Sequence, residues 1–179
     1  MALRTALLLA VFALNAADDP KTPAAKEVER LKVPAKLMPR QGKVLFLLRA
    51  EGTQKYQGQM KDGALQWVLQ GPQAVLRDYD TGEKVGTHSK GAKGPVWEGT
   101  DRSKVEGRPI ASERAPNGTA IPWLLLEAKG DGKGRFGKVS FIARVNTWAG
   151  SPPATPPAKA GAVKEVHYQA TYIFFSKPQ

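Results

Sequence analysis

Hydrophobic and polar residues alternate along most of the chain from residue 43 onward, and turn-forming segments interrupt the alternation about every ten residues. Segments 65–70 and 75–79 are interpreted as separate strands. No sustained helical spacing occurs in this region. The pattern predicts an all-β fold, a single antiparallel β-sandwich or barrel of about ten strands. One face of the last strand carries Val166, Tyr168, Ala170, Tyr172 and Phe174.

The first 17 residues have the three zones of a secretory signal peptide. Arg4 supplies the positive charge, residues 6–14 form a short apolar core, and the small residues Ala16 and Ala17 precede Asp18. We expect cleavage after Ala16 or Ala17 and a secreted or periplasmic protein; the alternative is a buried N-terminal helix. The apolar core is far shorter than the roughly 20 residues that span a bilayer, so no transmembrane anchor is expected.

Residues 18–40 differ in composition from the rest of the chain. They contain four prolines and many charges, with only a weak helical pattern between Ala24 and Leu31. Pro34 would end any helix there. We therefore expect an extended arm with at most one short helix, followed by an all-β domain over residues 41–179.

The amino-acid composition excludes some kinds of functional site and favours others. The chain has no cysteine, which excludes disulfides, thiolate metal sites and thiol catalysis. Its formal net charge of +11 favours attraction to anionic surfaces. The densest basic cluster, Lys129, Lys133, Arg135 and Lys138, makes weak polyanion binding through residues 129–138 one hypothesis. Because no basic surface is interleaved with aromatic residues, no specific nucleic-acid partner is expected.

The glycine-rich segment 132–137 formally matches a dinucleotide-binding fingerprint. Such a loop needs a helix after it, because the helix N-terminus supplies amide donors to the phosphates. The residues that follow, 139–145, alternate as a strand does. The segment is therefore interpreted as a hairpin loop, and no cofactor is predicted.

The best candidate binding site lies in residues 86–101. It brings together His88, Trp97, Glu98 and Asp101, and an indole beside charged groups is suited to a small polar ligand. Alternation places His88 on the face of Lys84, which predicts a surface histidine rather than a core one. Trp97 suits a ligand-binding floor and a core position equally well.

Two further residues belong to this interpretation. Arg144 falls on the polar face of segment 139–145, where it could clamp a carboxylate or phosphate with two hydrogen bonds, the alternative being a surface ion pair. Trp123 leads an apolar run and is expected in the core.

The leading hypothesis is a non-catalytic β domain that binds a small polar or glycan-like ligand or a cell-surface component. The alternative is an enzyme acting on a saccharide or small carbonyl compound, with His88 and Glu98 as acid and base. No hydrolase triad and no metal-ligand spacing involving His88 or His167 is readable, so no catalytic or metal-binding residue is assigned. The oligomeric state stays open.

Several short motifs follow one another in a fixed order: residues 52–56, 71–76, 86–88, 94–98, 121–126 and 170–175. With this order and spacing, residues 33–175 resemble domain-of-unknown-function family 3455, a group of exported bacterial and fungal proteins without an established activity. The resemblance implies a cysteine two residues after Tyr56 and another in the loop 148–161. Gly58 stands at the first position and the loop has no cysteine, so the implied disulfide is absent.

Overall fold

The computed structural model describes residues 22–177, so the predicted signal peptide, residues 1–17, lies outside the described residues. The described part begins with a helix, α1 (Pro23–Arg30), and one turn of 3-10 helix (Ala35–Leu37). Eight strands follow: β1 (Lys43–Lys61), β2 (Ala64–Asp78), β3 (Lys84–Lys90), β4 (Pro95–Gly99), β5 (Lys104–Glu113), β6 (Trp123–Gly130), β7 (Phe141–Ala149) and β8 (Val163–Ser176).

The strands form one antiparallel sheet that closes in a ring. Each strand pairs with the next one in sequence, and β8 pairs with β1. The all-β prediction is confirmed, but the predicted number of about ten strands was wrong. Gly71 and Pro72 lie inside β2, next to a bulge at Gln70, the residue left unpaired between the partners of Lys55 and Tyr56. Two segments that counted as separate strands are therefore one long, bent strand.

The ring has an apolar interior built from all around the sheet. On β8, Tyr168, Tyr172 and Phe174 are fully or almost fully buried, as the alternation predicts. They pack with a cluster that includes Leu48, Leu76, Trp97, Val105, Leu126, Phe136 and Ile142. Because alternate residues of a strand point to opposite faces, the neighbouring Ile173 and Phe175 face outward.

A second apolar cluster covers part of the outside of the ring, and the N-terminal arm packs over it. Val28 of α1 and Leu37 of the 3-10 turn are buried against a group that includes Leu47, Trp123, Leu125, Ala143, Val145, Ile173 and Phe175. Thr22 caps α1, and Pro23 occupies its first turn, which suits the fixed φ of proline. The arm therefore contains one short helix and forms part of the packed structure. Trp123 is buried, as expected.

The glycine-rich loop closes one end of the ring. It connects β6 to the strand β7, and its Phe136 is fully buried in the interior cluster. Asp101 holds this loop, because its carboxylate accepts hydrogen bonds from the Arg135 amide (2.8 Å) and the Ser103 hydroxyl (2.6 Å). Ser103 in turn accepts from the Phe136 amide. The segment is thus a structural loop between β6 and β7 that fills this end of the ring.

Gly58 lies against the late loop at the position where the resemblance implies a cysteine. A Cβ added there would be 2.7 Å from both the Pro157 Cβ and the Lys159 carbonyl oxygen. The Gly58 amide donates to the Ala162 carbonyl at 2.7 Å, and the Gly161 amide donates back to the Gly58 carbonyl at 2.8 Å. Backbone hydrogen bonds therefore join the two segments in this cysteine-free chain.

Candidate functional site

A cavity of about 280 Å³ lies inside the ring, at the end opposite Phe136. It lies beside the turn where β3 ends at Lys90 and β4 begins at Pro95. These two strands have 7 and 5 residues, whereas β1 and β2 have 19 and 15, so the wall of the ring is lowest here. The lining is mainly apolar and aromatic, with Trp97, Pro109, Leu124, Leu126 and Tyr172, and its polar members include Gln54, His88, Lys90 and Arg144.

His88 and Trp97 form the floor of this cavity. They are paired across β3 and β4, and their rings stack with centroids 4.3 Å apart and an interplanar angle of 11°. The ring of Tyr172 contacts both edge-on, at 5.2 Å from His88 and 5.3 Å from Trp97. Trp97 is therefore at once a core residue and part of the cavity wall.

The prediction of a surface histidine was wrong, because His88 is only 3% exposed. The alternation from Lys84 to His88 is broken by a bulge at Val85, because Gly86 pairs with the inward-facing Leu76 whereas Lys84 pairs with the next residue of β2, Arg77. Lys84 therefore faces outward, and Val85 packs against the interior cluster. Counting alternate residues from Lys84 placed His88 on the wrong face.

His88 is a neutral group at ordinary pH. Burial lowers the pKa of His88 to about 3; the hydrogen bond to the Val96 carbonyl opposes this shift, and the charge of Arg144 adds to it. Its Nδ1 lies 2.9 Å from the Val96 oxygen. Because a carbonyl oxygen can only accept, Nδ1 carries the hydrogen, and the ring holds one tautomer.

Arg144 faces the interior and not an outer polar surface. It is paired with Tyr172 on β8 and Leu124 on β6, and it lines the cavity. Its Nε and Nη2 both donate to the Pro122 carbonyl, at 3.2 and 2.8 Å. The apolar face of β7, with Ala143 and Val145, points outward beneath the arm. Since both faces of β7 are covered, its alternation could not identify the inner one.

Glu98 and Asp101 lie away from the cavity. Glu98 follows Trp97 in β4 and therefore points outward, where its half-exposed carboxylate pairs with Lys104 at 3.2 Å. Asp101 anchors the glycine-rich loop at the opposite end of the ring; the Ser103 hydroxyl and the Arg135 and Ser103 amides lower its pKa to about 2. The structure thus brings His88, Trp97 and Arg144 together, and it does not form the predicted His88–Glu98 acid–base pair.

Ring closure adds site residues that the sequence analysis missed. Gln54, Lys90 and Tyr172 line the cavity, and of these only Tyr172 had a readable signal, its place in the inward-facing aromatic row. Within residues 22–177, the Trp97 Nε1, the Gln54 Oε1 and the Tyr172 hydroxyl are buried without a hydrogen-bond partner. The Tyr172 hydroxyl lies near the Arg144 guanidinium and the Tyr168 hydroxyl, without reaching hydrogen-bond geometry.

Part of the predicted basic cluster lies in a groove at the closed end of the ring. Lys129 and Lys138 line it together with Lys43 and Lys177, and no carboxylate is among its described lining residues. Arg135 is held elsewhere, in an ion pair with Asp78 at 3.2 Å and over the ring of Phe46. The groove thus contains two of the four residues of the predicted basic cluster.

Residues 22–177 contain no group of three or more histidine, aspartate or glutamate side chains arranged to hold a metal ion. In the same part of the chain, no helix is both long enough and apolar enough to cross a membrane.

The fold and the site together define a class: a closed antiparallel ring of eight strands, filled by aromatic and aliphatic side chains, with a small open cavity beside an arginine at one end. The chain belongs to the family described as "Protein of unknown function (DUF3455)", whose model matches residues 39–176. This confirms the family resemblance. No curated protein and no solved structure matches the chain at a significant level.

Proposed function

We propose that this protein is a non-catalytic binding protein, and that it holds a small organic ligand in the cavity above His88 and Trp97. The observation that carries the proposal is a cavity of about 280 Å³ that is open to solvent at one end of the packed ring. Protein interiors are close-packed, and a small cavity with apolar walls and a few polar groups is the usual form of a ligand site. A cavity of this volume suits a small molecule better than a polymeric glycan.

The unpartnered polar atoms around the cavity support a binding role. Leaving a buried donor or acceptor without a partner costs about 1–3 kcal/mol. Trp97, Gln54 and Tyr172 each carry such an atom in the described structure, and all three residues line the cavity. A ligand with polar groups offsets part of this cost when it binds.

The groups around the cavity favour binding over catalysis. With a pKa of about 3, His88 does not exchange a proton near neutral pH, as a general acid or base must. Glu98 points away from it toward Lys104. No carboxylate is among the described lining residues of the cavity.

The proposal also places the protein outside the cytoplasm, in a secreted or periplasmic location, on the strength of the leader-like pattern in residues 1–17. Fractionation of cells that express the full chain tests this location. Mass spectrometry of the exported protein is expected to give an N-terminus at Ala17 or Asp18. Recovery of the intact chain from the cytoplasm alone would contradict it.

Nuclear magnetic resonance offers a direct test of the site, because each of the four tryptophans gives one indole N–H signal. A library of small organic compounds is screened against the exported form, and the signal of Trp97 is assigned with Trp97→Phe. Compounds that enter the cavity are expected to shift the Trp97 signal. The signal of Trp67 is the internal control, because its Nε1 donates to the Thr155 carbonyl at 2.8 Å, outside the cavity.

Leu124→Trp fills the cavity, since Leu124 is one of its walls. It is expected to abolish the ligand-induced shifts, whereas Met60→Trp, at a site 62% exposed, is expected to leave them unchanged. If no compound shifts the Trp97 signal, or if Leu124→Trp has no effect, the binding proposal is wrong. Conversion of a library compound in the same samples would support the enzyme alternative.

A second candidate function is weak polyanion binding in the groove lined by Lys43, Lys129, Lys138 and Lys177. The double variant Lys129→Glu/Lys138→Glu is compared with Lys61→Glu/Lys164→Glu for binding to heparin at increasing salt. Loss of binding in the groove variant alone, with affinity that falls steeply with salt, supports this function. Equal effects of the two variants indicate that only net charge matters.

A further inference from the structure

The charges around the cavity are unbalanced. Arg144 and Lys90 line it, and no aspartate or glutamate is among its described lining residues. Within residues 22–177, no carboxylate lies within ion-pair distance of the Arg144 guanidinium. Its charge is met there by one carbonyl, that of Pro122. Arg144 is only partly buried, so solvent screens part of its charge, and an anion in the cavity would pair with the rest.

The neighbours of Arg144 do not supply that anion. Burial raises the pKa of Tyr168 and Tyr172, so both hydroxyls stay neutral, and the charge of Arg144 only partly opposes this. His88 is neutral as well. The guanidinium has five N–H donors, and the Pro122 carbonyl accepts from Nε and Nη2. The Nη1 group, whose two N–H donors have no hydrogen-bond partner in the described structure, is left for a ligand.

The apolar residues of the lining indicate which chemistry the uncharged part of the ligand has. Trp97, Leu126, Pro109 and Tyr172 give apolar and aromatic walls, and the cavity has room for roughly one ring. These walls favour a flat or branched apolar body over a hydrated sugar. We infer that the cavity binds a small organic acid, with an apolar or aromatic body against Trp97 and a single carboxylate paired with Arg144. This inference rests on the proposed function.

Phenylacetate and its neutral isostere phenylacetamide are the probes, followed by the Trp97 indole signal and by calorimetry. A charge-assisted hydrogen bond to arginine contributes about 1.5–3 kcal/mol, so phenylacetate is expected to bind roughly 10- to 100-fold more tightly than phenylacetamide. Arg144→Gln is expected to remove this preference, and Arg144→Lys to restore part of it. Arg108→Gln, at an arginine 73% exposed that pairs with Glu127, is expected to leave it unchanged.

The outcomes separate this inference from the proposed function. If acid and amide bind equally and Leu124→Trp abolishes both, the cavity binds ligands but the anion preference is wrong. If Arg144→Gln keeps the preference, Arg144 is not the anion contact and the inference is also wrong. If neither probe shifts the Trp97 signal while other library compounds do, the organic-acid inference is wrong and the proposed binding function stands. If no compound shifts the signal, both the inference and the proposed function are wrong. The unshifted Trp67 signal verifies that each variant is folded.

Discussion

The imidazole of His88 stacks on the indole of Trp97 with 4.3 Å between ring centroids, and both side chains are almost completely buried. A stack of this kind orders two aromatic groups without using their edges. One edge of the imidazole is fixed by the Val96 carbonyl, whereas the Trp97 N–H has no partner in residues 22–177. The pair thus forms the floor of the cavity and leaves the Trp97 N–H free to donate a hydrogen bond. It also places a titratable group, the His88 imidazole, in the core.

Acid is expected to destabilise the protein through His88. In the folded state the pKa of His88 is lowered from 6.5 to about 3, chiefly by burial. As pH falls below 6.5 the unfolded chain takes up a proton that the folded protein does not, so stability present at neutral pH is lost in acid. The expected loss between about pH 7 and pH 5 is on the order of 2 kcal/mol, measured by denaturant unfolding at each pH.

His88→Phe is expected to flatten this pH dependence, since phenylalanine keeps the ring but cannot be protonated. The variant is less stable at neutral pH, because the Val96 carbonyl loses its donor. His167→Phe is the control: His167 is about half-exposed, and its substitution is expected to leave the steepness of the acid effect unchanged. An equally steep acid loss in His88→Phe would show that other groups cause it.

The all-β class, the inward row on β8 and the loop before β7 were predictable because each depends on residues close together in sequence. The position of Arg144 was not, because β7 is covered on both faces, by the interior and by the arm. The cavity was not predictable either. It depends on β8 returning to β1, which brings Gln54 and Tyr172 to the same space as His88. Local periodicity carries no information about such pairings.

Asp101→Ala is expected to destabilise the protein by removing the hydrogen bonds that hold the glycine-rich loop. The carboxylate of Asp101 accepts hydrogen bonds from the Ser103 amide and hydroxyl and from the Arg135 amide. At about 1 kcal/mol for each bond, the substitution is expected to lower the free energy of unfolding by about 2–3 kcal/mol. Denaturant unfolding measures this loss.

The control for Asp101→Ala is Asp80→Ala. Asp80 is exposed, and its carboxylate makes no hydrogen bond within the described part of the chain. Its substitution is expected to change the free energy of unfolding by less than about 0.5 kcal/mol. Equal effects of the two substitutions would mean that Asp101 does not hold the loop.

Leu37→Ala tests whether the N-terminal arm is part of the folded unit. Leu37 is fully buried against the outer cluster of β6, β7 and β8. Removing a buried leucine side chain costs about 2–5 kcal/mol, because the transfer free energy is lost and a cavity remains. Met60→Ala, at a residue 62% exposed, is the matched control and is expected to have little effect. Similar unfolding midpoints for the two variants would show that the arm adds little stability.

Ionisation of the tyrosines is expected to report unfolding of the ring in alkali. Burial raises the pKa of Tyr168 and Tyr172 above the ordinary value of 10.0, so above that pH the unfolded chain releases protons that the folded protein keeps, and stability falls. Phenolate absorbance from these two residues should therefore appear together with loss of the near-ultraviolet dichroism of the core. Tyr79, which is half-buried and donates to Glu27 at 2.9 Å, is expected to titrate earlier, and Tyr79→Phe should remove that early component alone. Full titration of Tyr168 and Tyr172 with the dichroism unchanged would mean that burial does not protect the two hydroxyls in the folded protein, against the burial found for both residues.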